Sequence, residues 1–272
     1  MVESDRGVVL RRIPHGETSL LITFLGSHSG RLNCLARGVR RGGRGGRAAL
    51  AGLHTLSFGY QRRDALALAT LREVEVVRSR SFVTAFRPGG HLAAMLLCEA
   101  GYRHALPGGE QEGLFLWLEE GLDHLDRGEE PLWVLGLAWG RLARLLGFGW
   151  ALHLCHDCGG EEDLQHFSLH RGKAYCRACA ARPENRAVAV GERLLRTMRH
   201  LPSAGVSSGL SGEEKELFYR LGTAYLAFHG EHTLRWDREF RQVMGIPPPS
   251  VMSRRGPDGL SANRVWHEER VR

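Results

Sequence analysis

Apolar residues between positions 7 and 77 fall in short runs with a period of two. Residues 7–13 (GVVLRRI) and 19–25 (SLLITFL) are β-rich and separated by Pro14, His15 and Gly16. In residues 31–39 (RLNCLARGV), Leu32, Cys34 and Ala36 share one face and Arg31, Asn33 and Arg37 the other, with Leu35 out of phase. That alternation predicts a half-buried strand. Residues 54–60 (HTLSFGY) bring Leu56, Phe58 and Tyr60 together. Residues 65–77 (ALALATLREVEVV) set Val74 and Val76 against Glu73 and Glu75. Strands this short and closely spaced predict a small barrel, and the long third connection sits where an OB-fold carries its largest insertion.

From residue 82 the period lengthens to that of helices. Leu92, Met95, Leu96 and Glu99 mark a helix within 86–106. Leu114, Trp117, Leu118, Leu122 and Leu125 form the stripe of a second, over 110–127. A third, over 131–147, starts with Pro131 at its first position and stops at Gly147, with Leu132, Leu135, Trp139, Leu142, Leu145 and Leu146 as its core candidates. Another helix is expected over 187–201. Ser211 with Glu214 fits a capping box opening a helix to about residue 235. The segment from Ile246 starts with a proline run and continues with Gly, Ser and Arg, which predicts a disordered tail over 246–272.

These patterns predict an α+β chain. Residues 1–80 form an N-terminal OB-fold β-barrel, the basic nucleic-acid-binding domain. Residues 81–149 and 183–240 form an α-helical domain, with a four-cysteine zinc finger, 150–182, inserted in it.

Charge sharpens the picture. Residues 1–80 hold 14 arginines against six acids, whereas the remaining residues hold 23 basic and 24 acidic side chains. A basic barrel joined to a neutral partner fits a polyanion ligand. The 35 arginines against two lysines, Lys173 and Lys215, carry less weight, because so uniform a bias follows from a GC-rich genome. No run is long and apolar enough for a transmembrane helix, and the start lacks the basic-then-apolar layout of a secretory signal. A cytoplasmic, nucleoid-associated protein without membrane partners is expected.

Six cysteines occur, and four of them form two CxxC pairs: Cys155 with Cys158, and Cys176 with Cys179. Each pair can turn two thiolates toward one ion, and the spacing between pairs suits a closed, structural Zn2+ site with one ion. A hairpin about His170, Arg171 and Gly172 would join the pairs. Cys34 and Cys98 read as core residues, and His153, His156, His166 and His170 as bystanders to a full set of thiolates.

The stretch RGVRRGGRGGR, residues 37–47, has five arginines, five glycines and no acid. Glycine lets a backbone approach closely and arginine neutralises phosphate, so Arg37, Arg40, Arg41, Arg44 and Arg47 are candidate DNA contacts. Arg31 extends the positive face onto the preceding strand, and Arg11, Arg12, Arg62 and Arg63 add charge nearby. Phe24, Phe58 and Tyr60 are the rings available for stacking, with Phe58 and Tyr60 on the expected inward face. No phosphate-loop or HExxH motif occurs. A zinc-containing nucleic-acid-modifying enzyme, such as a nuclease, and a protein-interaction scaffold remain the alternatives.

Three stretches resemble the RecO family of bacterial DNA repair proteins: GRLNCLARGVRR (30–41), LREVEVV (71–77) and LLGFGWALHLCHDCG (145–159). The resemblance implies a recombination mediator of the RecF pathway, not an enzyme. It would bind single- and double-stranded DNA and anneal complementary strands. It would work with RecR and single-stranded DNA-binding protein and help load RecA. It also implies that Arg31, Arg37, Arg40, Arg41, Arg44 and Arg47 contact DNA and that the four paired cysteines hold zinc.

Overall fold

The computed structural model describes residues 2–41, 44–64, 67–81, 89–201, 209–230 and 233–248, with the backbone alone for 44–46. The expected tail beyond residue 248 and the start of the helix expected from 86 lie outside the described residues. The chain divides into two compact units, Met1–Pro131 and Leu132–Arg272.

In the first unit five strands close a barrel: β1 (Glu3–His15), β2 (Ser19–Gly26), β3 (Gly30–Ala36), β4 (Thr55–Gln61) and β5 (Ala69–Arg78), in the order β1-β2-β3-β5-β4. The closure between β3 and β5 is parallel and the other pairings are antiparallel. This is the expected OB-like order. Helix α1 (Arg44–Ala51) stands between β3 and β4, in the long connection where an OB-fold insertion is expected. Its Ala49 and Leu50 join the barrel core with Ile22, Phe24, Leu32, Cys34, Leu56, Phe58 and Tyr60. Phe24 stacks on Phe58 at 4.2 Å between centroids. All three barrel rings are therefore core, Phe24 included. Burial pushes the Cys34 thiol up to about 12, as expected of a packing residue.

A buried carboxylate fixes the β2–β3 turn. Asp5 accepts hydrogen bonds from Ser27 Oγ at 2.9 Å, from Ser29 N–H at 2.9 Å and from Ser29 Oγ at 2.6 Å. Such satisfaction is what allows a carboxylate to sit inside. Gly30 follows at φ 62°, where an added Cβ would lie 2.4 Å from the Leu106 carbonyl oxygen. Only glycine fits this backbone approach.

Helices α2 (Gly90–His104) and α3 (Glu112–Asp126) complete the unit by packing on each other and on the barrel. The predicted α3 stripe is buried in full. In α2 the buried face differs from the expected one: Ala93, Ala94, Leu97, Cys98, Ala100 and Gly101 are buried beside Leu96, whereas Leu92, Met95 and Glu99 are only half-buried. The reason is burial from two sides. A Cβ on Gly101 would touch Leu118 of α3 and Leu10 and Leu25 of the barrel. Arg80 braces the barrel's end: its side chain is 1% exposed, its Nε lies 2.6 Å from Asp123, and its Nη1 donates to the Leu53 carbonyl at 3.0 Å.

The second unit contains α4 (Pro131–Leu145), β6 (Ala151–Cys155), β7 (Leu164–Ser168), β8 (Lys173–Cys176), α5 (Arg177–Ala180), β9 (Ala187–Ala189), α6 (Glu192–His200), α7 (Gly212–His229) and α8 (Asp237–Met244). Strands β6-β8-β7-β9 form one sheet, with β7 and β8 as the hairpin expected around Gly172. The helix expected from 187 starts instead at Glu192, because Ala187–Ala189 pairs with β7. The capping box at Ser211 is present, but α7 ends at His229 and α8 follows separately. Leu145, expected in the core, is 46% exposed. Ile246, expected to begin the tail, is buried, and its N–H donates to the Arg241 carbonyl at 2.9 Å. Among the described residues no helix is long and apolar enough to cross a membrane.

Candidate metal centre and nucleic-acid interface

The sheet of the second unit brings two turns together. Cys155 ends β6 and Cys158 lies in the following turn, closed by Gly159 N–H donating to the Cys155 carbonyl at 2.9 Å. Cys176 ends β8, and Cys179 sits in α5 one helical turn on. The four sulfurs lie within 4.8 Å of one another. Cys176 Sγ is 3.8 Å from Cys155 Sγ and 3.9 Å from Cys158 Sγ. Four thiolates about 2.3 Å from a central ion define a tetrahedron with edges of about 3.8 Å. The arrangement therefore fits a metal ion held by four cysteines.

The local electrostatics agree. Burial alone would raise the Cys155 thiol, but donation from the Cys158, Cys176 and Asp157 backbone outweighs it and brings the thiol down to about 6. Cys179 is held up at about 12, first by its hydrogen bond to the Cys176 thiol and then by burial. Crowded sulfurs thus share protons that a cation would displace.

Sequence reasoning missed the residue that ties the turns together. Asn185 is buried, and its Nδ2 donates to Asp157 Oδ2 at 2.7 Å and to the Cys179 carbonyl at 2.8 Å. Asp157 also pairs with Arg182 at 3.1 Å. No motif marks a lone asparagine after the second CxxC pair, so the sequence held no signal for it.

The candidate arginines occupy different settings. Residues 37–41 form a turn docked on the β1–β2 connection: Arg40 N–H donates to the Thr18 carbonyl at 2.9 Å and its Nη1 to the Gly16 carbonyl at 3.0 Å, while Arg41 pairs with Glu17 at 3.2 Å. Arg44 opens α1, with its side chain outside the described residues. Arg12 donates to the Leu50 carbonyl of α1 at 3.1 Å. Arg62 is 15% exposed, pairs with Glu3 at 2.9 Å and lies over the Tyr60 ring. Its charge is already used. Arg37, Arg47 and Arg63 are exposed, and their side chains make no hydrogen bond or ion pair among the described residues.

The strand register places the rest on one surface. Core residues Ile22, Phe24, Leu32 and Cys34 point into the barrel, so Leu21, Thr23, Asn33 and Leu35 point out. Arg11 pairs with Thr23 and Thr23 with Asn33; Ile13 pairs with Leu21 and Leu21 with Leu35. The outer face of β1–β3 thus carries a polar row with Arg11 beside an apolar row, and Arg37 lies just past the end of β3. Arg31 lies at the other end of this face. The β1–β2 connection, on which the Arg40–Arg41 turn docks, and the β4–β5 connection, with Arg62 and Arg63, correspond to the loops with which OB-folds take oligonucleotides. The described barrel exposes no Phe or Tyr ring.

The family model "Recombination protein O N terminal" matches residues 1–80, and "Recombination protein O C terminal" matches residues 92–237. The chain is similar to DNA repair protein RecO of Rubrobacter xylanophilus, with 32% identity over 77% of this chain and 86% of that protein. It is similar also to DNA repair protein RecO of Exiguobacterium sibiricum, with 27% identity over 90% of this chain and 99% of that protein. For DNA repair protein RecO of Stenotrophomonas maltophilia the identity is 32% over 72% and 80%. Matches across both the barrel and the cysteine-bearing region, together with the closed five-stranded barrel, establish that the chain belongs to the RecO family of DNA repair proteins.

Proposed function

We propose that this protein is a recombination mediator that binds single- and double-stranded DNA through its basic barrel, anneals complementary strands and helps load RecA onto DNA coated by single-stranded DNA-binding protein. The observation that carries this reading is the positive charge of Arg37, Arg47 and Arg63, unpaired among the described residues, on a barrel of the RecO family. Residues 1–80 would be the DNA-binding domain, with Arg11, Arg31, Arg40 and Arg41 adding phosphate contacts. Arg12 and Arg62 would serve the fold instead.

Contacts to phosphate without base readout concentrate DNA but leave bases free to search for partners. Such a protein needs no nucleotide hydrolysis and cleaves nothing. Cys155, Cys158, Cys176 and Cys179 would hold one structural Zn2+, which supplies folding free energy rather than chemistry. RecR and single-stranded DNA-binding protein are the proposed protein partners. The basic helix α6 offers little spare charge for an acidic tail: Arg193 pairs with Glu214, Arg196 with Glu192, and Arg199 donates to the Leu152 carbonyl.

The test is an annealing assay on labelled complementary oligonucleotides, comparing wild type with R37A/R47A/R63A and measuring bound zinc on both. Faster annealing by wild type, slowed in the variant at equal zinc content, is expected. Equal annealing by both, or cleavage of the strands with added divalent metal, would overturn the reading.

A further inference from the structure

The outer face of the barrel ends against α2, and there two arginines meet one ring. The guanidinium carbon of Arg31 lies 5.5 Å from the centre of the Tyr102 ring, and that of Arg11 lies 5.9 Å from it. Arg31 Nη1 also reaches the Tyr102 carbonyl at 3.5 Å. Neither arginine pairs with a carboxylate among the described residues. Both guanidiniums lie within 6 Å of one centre, so they are no more than about 11 Å apart. Between their strands Thr23 Oγ1 donates to Asn33 Oδ1 at 2.8 Å, which leaves the exposed Asn33 amide N–H groups unused.

Two cations so close repel each other and would otherwise splay into solvent. The electron-rich ring face offsets that repulsion and removes rotamer freedom before any ligand arrives. We infer that Tyr102 is a positioning residue of the DNA interface, holding Arg11 and Arg31 as a preset pair that takes neighbouring phosphates of one strand, with the Asn33 amide as an added donor. This rests on the barrel being the DNA-binding surface. It extends that surface beyond the barrel domain, because Tyr102 belongs to α2.

The test measures binding of a fluorescein-labelled oligothymidylate by anisotropy between 50 and 200 mM salt, with thermal unfolding followed in parallel. Tyr102→Leu removes the ring face, whereas Tyr102→Phe keeps it. Loss of two phosphate contacts makes the log–log salt slope shallower by about 1.4, so Y102L should lose about sevenfold less affinity than wild type over that fourfold rise in salt. Y102F should match wild type. R11A/R31A should match Y102L, and adding Y102L to it should change nothing further. A strut that merely held α2 would lower the unfolding temperature without moving the slope. The inference fails if Y102L keeps the wild-type slope, or if its effect adds in full to that of R11A/R31A. Should Y102L not fold, an unchanged slope in R11A/R31A overturns the inference by itself. Wild type lacking salt-dependent binding would defeat the proposed function as well. A normal response of R37A/R47A/R63A with none in these variants would defeat this inference alone.

Discussion

Arg62 and Arg63 are neighbours in sequence and opposites in setting, and the proposed function predicts different outcomes for their loss. Arg62 donates to both oxygens of Glu3, through Nε at 3.1 Å and Nη2 at 2.9 Å, and is mostly buried. Its charge is spent within the fold. Arg63, with Arg37 and Arg47, faces solvent without a described partner. Each arginine that neutralises one phosphate of a single strand contributes about 0.7 to the slope of log affinity against log salt. R37A/R47A/R63A should therefore bind oligothymidylate with a slope shallower by about 2.1. Between 50 and 200 mM salt, wild type should lose about 20-fold more affinity than the variant. R62A should keep the wild-type slope and lose thermal stability instead. Fluorescence anisotropy over that range, with scanning calorimetry on the same preparations, measures both. The partition is refuted if R62A flattens the slope as much as a single exposed arginine does, or if the triple variant keeps the wild-type slope.

Three further outcomes follow. Metal analysis should find one zinc per chain, and Cys158→Ser or chelation should remove it and abolish hydrogen-exchange protection across β6–β9, while the salt slope of DNA binding stays unchanged. Arg80→Met leaves Asp123 with Arg78 alone and Glu119 with the Thr55 hydroxyl but no cation; urea denaturation should show a loss of about 3 kcal/mol, the lower end for breaking a buried ion pair. The Glu3 carboxyl is held below its ordinary value of 4.5, chiefly by the Arg62 hydrogen bond acting against burial, so its stabilisation is present above pH 4.5 and is lost as pH falls through the depressed folded value; R62A should show less acid dependence of its unfolding temperature below pH 4.5 than wild type.

The sequence revealed those parts in which a residue's surroundings are set by its near neighbours. Leu32, Cys34 and Ala36 alternate with Arg31, Asn33 and Leu35 because a closed barrel gives every strand one dry face, and the period survives in the sequence. The CxxC pairs were legible because two thiols must converge from a single turn. The α2 surface was illegible, since Gly101 lies between the barrel and α3 while Leu97 meets Gly121 of α3, and a helix covered on two sides loses its stripe. Strand β9 was mistaken for helix because its partner β7 lies about 20 residues away, beyond any local period. The same limit hid Asn185, which bonds a carboxylate 28 positions earlier, and hid the distinction between Arg62 and Arg63, since Glu3 is 59 positions from Arg62.

The barrel buries its Phe and Tyr rings, and that bears on the proposed annealing. Phe24, Phe58 and Tyr60 are all 3% exposed or less, so the described barrel strands offer no Phe or Tyr ring to a base. Stacking on exposed aromatic rings contributes about 1–3 kcal/mol per base, and a strand held that firmly would have its bases withdrawn from pairing. Here the outer apolar row is aliphatic, Ile13, Leu21 and Leu35, and on the proposed function guanidinium would grip the strand. Coulombic contact with phosphate persists whether the bases are free or paired, so strand meeting strand need not break what holds either one. The two kinds of arginine then divide the work. On the proposed function, Arg11 and Arg31, braced on Tyr102, would fix where one strand lies, while Arg37, Arg47 and Arg63 would screen a second strand as it arrives. A barrel with the same charge but exposed rings should bind single strands more tightly and anneal them more slowly, and that inverse relation is what an aromatic substitution at Leu35 would reveal.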